Sequence, residues 1–196
     1  MTTLAPERIL YLIAPYYPEP TPSLVEQLGV YLDLLLHWNA RLNLTAIRTP
    51  EEIVQRHFGE SLFLASHLPI AAATMLDLGS GAGFPGLPLQ LARPALNVTL
   101  AESQHKKASF LREVVRELKL PTRIWADRAE KLPKAQPFDI VALRAVDKPD
   151  QALIVARTLL ASHGTLAHLT SEAGRTGLRL EQGVSEARFL PMPHRP

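Results

Sequence analysis

Apolar residues at Leu24, Leu28, Tyr31, Leu32 and Leu35 recur at helical spacing, so one face of the chain from residue 24 to about 38 or 42 is built to be buried. Prolines crowd residues 15–22 just before it and end a first short helix there. At 49–54, "TPEEIV" reads as another helix start: Thr49 caps, Pro50 sits in the first turn, and two acids lie near the positive end. Residues 1–70 are therefore expected to be helical, with no strand.

Beyond residue 70 the pattern changes. Short apolar runs bounded by turn residues at 74–79, 96–102, 122–127, 138–144 and 164–170 predict five strands. Helical patterns separate them. Between the second and third, Phe110, Leu111, Val114, Val115 and Leu118 form a buried stripe, with Arg112, Glu113, Arg116 and Glu117 outside. The segment "PDQALIVARTLLA" supplies a helix before the fifth. Alternation of this kind implies an α/β fold: a parallel sheet covered on both faces and, with right-handed crossovers, doubly wound. The expected organisation is a helical N-terminal cap over 1–70 and a sheet domain over 71–196, together one compact unit.

Composition narrows the function. The 196 residues carry a net charge of +2, and mean hydropathy is near zero, as in ordinary globular proteins. Charge is unevenly spread: residues 103–134 hold nine Lys or Arg against four acids, a positive surface that could meet phosphates or simply be a solvated helix face. There is no cysteine, which excludes disulfides, thiolate metal sites and a thiol nucleophile, and no metal site is expected. The start lacks a basic leader before a long apolar stretch, and no run approaches a membrane span, so a cytoplasmic protein without membrane association is expected.

The first strand runs into "LDLGSGAGFPG", where Gly81, Gly83 and Gly86 satisfy G-x-G-x-x-G and Glu102 follows about twenty residues later. By spacing this is a dinucleotide fingerprint at the carboxyl end of a parallel strand, where ligands of open sheets bind. Asp77 contradicts a dinucleotide. A carboxylate beside a pyrophosphate would repel it in a low-dielectric cleft, and Pro85 removes an amide from the phosphate cradle. A nucleoside ligand without phosphate and with positive charge removes the conflict, and S-adenosylmethionine is one. Asp77 would favour its methionine end, directly or through water, while Glu102 accepts both ribose hydroxyls. As a mere turn cap, Asp77 would leave Glu102 unexplained.

The third strand ends in "ADRAEKL", which places Asp127, Ala129 and Glu130 near an adenine edge. The fourth ends at Arg144, which points into the cleft or forms an ion pair with Asp139 or Asp147. Without cysteine, covalent carbon-5 methylation of cytosine is excluded. The strand-four segment also lacks the Asn-Pro-Pro or Asp-Pro-Pro tract that holds an exocyclic amine. Guanine N7 needs no proton removed, so alignment and electrostatics would suffice. Arg144 is the candidate catalytic side chain, holding the base or the donor's methionine end.

The segments "WNARLNLTAI" (38–47), "RHFGESL" (56–62), "LDLGSGAGFPGLPL" (76–89), "ESQHKKASFLREV" (102–114), "RAEKL" (128–132) and "FDIVALRAV" (138–146) occur in this order. Together they resemble the bacterial small-subunit ribosomal RNA guanine-N7 methyltransferase family, also known as the glucose-inhibited division B proteins. The likeness covers about residues 24–170. It implies a Rossmann-like methyltransferase sheet under a helical cap, with S-adenosylmethionine as donor. The implied donor contacts are Gly79, Gly81 and Phe84 in the turn, Glu102, Ser103 and Gln104, the pair Ala129 and Glu130, and Arg144. Arg56, His57 and Lys106 would face the RNA, although His57 could equally tie the cap to the sheet, and Trp38, Asn43 and Thr45 would pack and cap. The implied partner is ribosomal RNA in a small-subunit particle or assembly intermediate, acted on by a monomer. A nicotinamide-dependent oxidoreductase and a non-catalytic assembly factor of the same fold are the rival readings.

Two features depart from the family pattern. Glu60 stands where aspartate is usual. The chain also ends at "RFLPMPHRP", so the last antiparallel strand is expected to be missing, with an open sheet edge at 184–190. The stretch "TSEAGRTGL" lacks the usual lysine-glycine ending.

Overall fold

The computed structural model describes residues 2–172, 175–182 and 187–194. Helices α1 (Pro6–Ile13), α2 (Pro22–Leu42) and α3 (Pro50–Ile53) lead into a π-helical turn at Val54–Gly59 and α4 (Glu60–His67). Thr21 caps α2 by accepting the Leu24 N–H at 3.2 Å, and Pro22 opens it. No strand interrupts this helical stretch.

The sheet follows as β1 (Thr74–Leu78), β2 (Asn97–Ala101), β3 (Arg123–Trp125), β4 (Phe138–Arg144), β5 (Leu160–Glu172), β6 (Arg175–Gln182) and β7 (Arg188–Pro191). Helices α5 (Gly86–Ala92), α6 (His105–Glu117) and α7 (Pro149–Leu159) connect the parallel strands. The order is β3-β2-β1-β4-β5-β6-β7, parallel from β3 to β5. Winding reverses between β1 and β4, which sets the ligand cleft beyond their carboxyl ends.

One expectation is corrected. The antiparallel strand thought to be absent is present: β6 pairs antiparallel with β5, and β7 with β6. Its signal is short. Leu178 is fully buried and Leu180 packs against the core, whereas Arg179 and Glu181 between and after them point the other way, Glu181 meeting Arg157 of α7 at 2.7 Å. Two leucines at period two are too few to separate a strand from a turn by sequence. A Cβ on Gly177 would lie 2.3 Å from the Phe189 ring, so glycine is what lets β7 lie against β6. Of the expected open edge, residues 184–186 lie outside the described residues, and Arg188–Pro191 is itself the paired edge strand.

Strand alternation assigns the two faces. Met75, Val98, Leu100, Ile140 and Ala142 share a core with α1, α2, α4, α5 and α6. Leu76, Leu78, Val141 and Leu143 turn to the other side, with Ala156 and Leu159 of α7. Asp77, Glu102 and Arg144 continue the first set at two-residue steps, so all three fall on the face that the N-terminal helices cover.

Candidate functional site

The turn after β1 is held tightly. Gly79, Gly81 and Gly83 have φ of 73°, 58° and 93°, in the left-handed region that favours glycine. The N–H groups of Gly79 and Ser80 both donate to the Ala101 carbonyl, at 3.0 and 3.1 Å, which fastens the turn to the end of β2. At Gly86 the reason for glycine is different. An added Cβ would lie 2.3 Å from Leu100 and 2.8 Å from Asp77 Oδ2, so only a bare backbone passes.

Asp77 is fully buried under this turn. Its Oδ2 accepts the Gly86 N–H at 2.9 Å, whereas its Oδ1 is buried without a hydrogen-bond partner. Burial pushes the carboxyl up to about 7, against the pull of the Gly86 amide. Asp77 therefore does anchor the turn, the role that sequence alone ranked lower, and it retains one uncommitted oxygen. Glu102 is the second acid. Its Oε2 accepts the Gly81 N–H at 2.9 Å and its Oε1 the Gln104 N–H at 2.7 Å, each oxygen keeping a second lone pair.

Phe84, at the tip of the turn, meets the cap. The His57 ring stacks on it at 4.6 Å and the Tyr31 ring at 5.5 Å, Phe58 lies at 5.7 Å, and the Arg144 guanidinium sits 6.0 Å above its face. Tyr31 donates its hydroxyl to the Ala82 carbonyl. Arg144 Nη2 donates to the Arg56 carbonyl at 2.8 Å and to Glu60 at 3.1 Å, while Nη1 is buried and unpartnered. The carboxylate partner of Arg144 is thus Glu60; Asp139 instead accepts the Ala73 and Thr74 N–H groups at the far end of the sheet. Burial lowers the Arg144 guanidinium from its usual range, and Glu60 acts against that shift.

His57 lies in the π-helical turn with Nε2 2.7 Å from Thr45 Oγ1 and with Nδ1 buried and unpartnered. Burial, with Arg144 and Arg56 nearby, pushes it down to about 2, so the ring is neutral at ordinary pH. Thr45 in turn receives the Ile47 N–H at its hydroxyl and gives its own N–H to Asn39, which ties the loop after α2 to the turn. Asn43, at φ 48°, ends α2 and accepts from Arg48 at 2.7 Å; Trp38 packs on Phe110. Capping and packing account for these three residues.

Other candidates spread along the rim. Ser103, Gln104 and Lys106 are exposed at the start of α6. Ala129 is buried and Glu130 exposed in a 3₁₀ turn after β3, and Asp127 just before it accepts the Arg128 N–H at 2.7 Å. Arg56 is half-buried and pairs with Glu52 at 3.4 Å. The structure thus gathers Asp77, Gly81, Phe84, Glu102, Arg144, Arg56 and His57, and leaves Lys106 and Glu130 at the edge. Sequence reasoning missed Tyr31, hidden in an apolar stripe whose other members lack a polar tip, and the pairing role of Glu60. Among the described residues no cluster of acids and histidines could hold a metal, and no helix is long and apolar enough to cross a membrane.

Comparison with known proteins adds a family. The family model for rRNA small subunit methyltransferase G (GidB) matches residues 24–186. A ribosomal RNA small subunit methyltransferase G from Chromobacterium violaceum is 41% identical over 89% of this chain and 84% of its own. One from Anaeromyxobacter sp. is 43% identical over 92% and 87%. Among solved structures, a protein-L-isoaspartate O-methyltransferase superposes with TM-score 0.61 over 97% of this chain and 65% of its own, at 11% identity. A SAM-dependent O-methyltransferase from Thermotoga maritima gives 0.54 over 73% and 51%, at 18% identity. Those two likenesses bear on the fold.

Proposed function

The chain belongs to the rRNA small subunit methyltransferase G family, and on that premise we propose that it transfers a methyl group from S-adenosylmethionine to N7 of a guanine in small-subunit ribosomal RNA. The observation that carries the donor is the buried, unpartnered Oδ1 of Asp77 beside Glu102, an arrangement that gains a partner from a cationic nucleoside and none from a diphosphate. A nicotinamide cofactor brings that diphosphate, and the oxidoreductase reading is set aside.

When bound, the donor supplies an electrophilic methyl carbon on a positively charged sulfur. Glu102 binds the ribose through its free lone pairs, with Ser103 and Gln104 beside it. Gly79, Gly81 and Phe84 line the turn side, and Ala129 and Glu130 the adenine side. Arg144, braced by Glu60, orients the reacting groups. The guanine N7 lone pair is available without deprotonation, so no general base is required, and a neutral His57 suits a positioning role. Arg56, His57 and Lys106 face the RNA, and the basic residues of 103–134 meet its phosphates. The residues up to 70 act as the substrate-side cap on the sheet. The protein works as a cytoplasmic monomer, with a ribosomal particle or assembly intermediate as substrate, because the cap offers little apparatus for reading sequence.

Mass spectrometry of small-subunit RNA tests this reading. In a strain lacking its own enzyme of this kind, expression of the protein is expected to restore one 7-methylguanosine. Donor binding without any methylated nucleotide would overturn it in favour of an assembly factor that keeps the fold.

A further inference from the structure

Asp77 is placed where a carboxyl group has difficulty staying ionised while the site lacks a cation. It is fully buried, and the Gly86 N–H at Oδ2 is the one hydrogen bond its side chain receives from the loop backbone. Oδ1 has no donor. The Ser80 hydroxyl in the turn favours the ionised form but donates to the Asp77 backbone carbonyl at 2.9 Å, and the other groups facing the carboxyl leave Oδ1 without a donor. On β2, Glu102 brings a second carboxylate, which works against ionisation. On β4, Arg144 is the neighbouring cation and favours ionisation, but its Nη2 is spent on Glu60 and on the Arg56 carbonyl, and its Nη1, itself without a partner, makes no hydrogen bond to Oδ1. On α2, the Tyr31 hydroxyl donates to Ala82 and is itself raised by burial and by Asp77. A buried carboxylate with one bare oxygen is costly, and the neutral acid is the cheaper form. Burial accordingly lifts this group to about 7.

We infer that Asp77 is a charge-sensing residue: it gives its proton to solvent when the cationic donor S-adenosylmethionine binds and keeps it when the product S-adenosylhomocysteine binds. The inference rests on the donor assignment proposed above. The balance is simple. The ammonium is common to both ligands, so the sulfonium is the charge that differs: a neutral carboxyl and an added positive charge in the site would become a carboxylate, the retained charge and one released proton. After transfer the positive charge leaves with the methyl group on the base, the remaining thioether is neutral, and the carboxylate takes a proton back from solvent. The site thereby favours donor over spent product, which differ by one methyl group and one charge.

Isothermal titration of the full chain with each ligand, in buffers of different ionisation enthalpy, reads the proton directly. Between pH 5.5 and 6.5 the amino group common to both ligands stays protonated, and His57 holds no proton to lose. The donor is expected to release close to one proton, and its Kd to weaken five- to tenfold from pH 6.5 to 5.5; the product is expected to release few protons and to show a nearly flat Kd. Asp77→Asn should abolish the donor's proton release, and if that variant does not fold, the wild-type pair of titrations decides alone. Equal proton release with both ligands, or none with either, overturns the inference and leaves the donor assignment standing. Failure of both ligands to bind overturns the donor assignment itself.

Discussion

The two sides of Phe84 are stabilised by different means. Beneath the glycine turn, Glu102 and one oxygen of Asp77 are held by backbone N–H groups from Gly81, Gln104 and Gly86, partners close in space because the turn folds back on its own strands. On the cap side, Arg144, Glu60, His57 and Thr45 hold one another through side chains drawn from distant parts of the chain. The first arrangement survives many side-chain changes nearby. The second fails when one partner is lost, because a buried charge is left alone. The difference also has a sign: burial under the turn pushes the Asp77 acid toward neutrality, while on the other side burial and Arg144 keep the His57 base uncharged.

The strongest way to break the contrast is Glu60→Ala. It leaves the Arg144 guanidinium buried with the Arg56 carbonyl as its remaining acceptor, and is expected to cost about 3–5 kcal/mol, read by denaturant unfolding. A loss under 1 kcal/mol would mean that the pair is not a structural joint. Next comes pH. Asp77 is raised from 3.8 to about 7, so its contribution is present at low pH and is lost as pH rises from about 4 toward 7. His57 is lowered from 6.5 to about 2, so its contribution is present above about 6.5 and is lost as pH falls below that. Between pH 4.5 and 6 the two oppose each other. Relative to wild type, Asp77→Asn should gain stability with rising pH and His57→Gln should lose it, each by up to about 1.4 kcal/mol per pH unit. Slopes of the same sign in both variants would contradict the assignment of opposite roles.

A smaller change sharpens the boundary between the regions. Tyr31→Phe removes the hydroxyl that α2 donates to Ala82 in the turn, with an expected loss of about 1–2 kcal/mol and weaker donor binding measured by titration. At the rim, Lys106→Ala should change stability by less than about 0.5 kcal/mol, while the salt dependence of RNA binding falls by about one phosphate contact. An unchanged salt slope would take Lys106 off the RNA-facing surface.

Much of this was legible from residue order. The apolar stripe from Leu24 to Leu35 marked α2, and the five runs from 74 to 170 marked β1 to β5, although β5 begins earlier, at Leu160. The spacing of Asp77, the glycines and Glu102 marked the turn at the end of β1 and the acid at the end of β2, because those residues act through the strand and turn on which they stand. The β6 strand escaped notice because two leucines carry too little pattern. For Arg144 the residue order suggests the cleft or an ion pair with the nearer Asp139 or Asp147, and it shows Glu60 only as a departure from the usual aspartate.

By itself the sequence determined the alternating order of strands and helices, the left-handed glycine turn and, through the two-residue period of β1, β2 and β4, the shared face of Asp77, Glu102 and Arg144. These are local consequences of backbone geometry and of which side chains water rejects. Only the tertiary structure decided that Glu60 meets Arg144 across 84 positions, that Tyr31 reaches Ala82 across 51, and that Oδ1 of Asp77 is left bare. Contacts at such separations depend on how whole elements pack, and no repeating pattern along the chain encodes them.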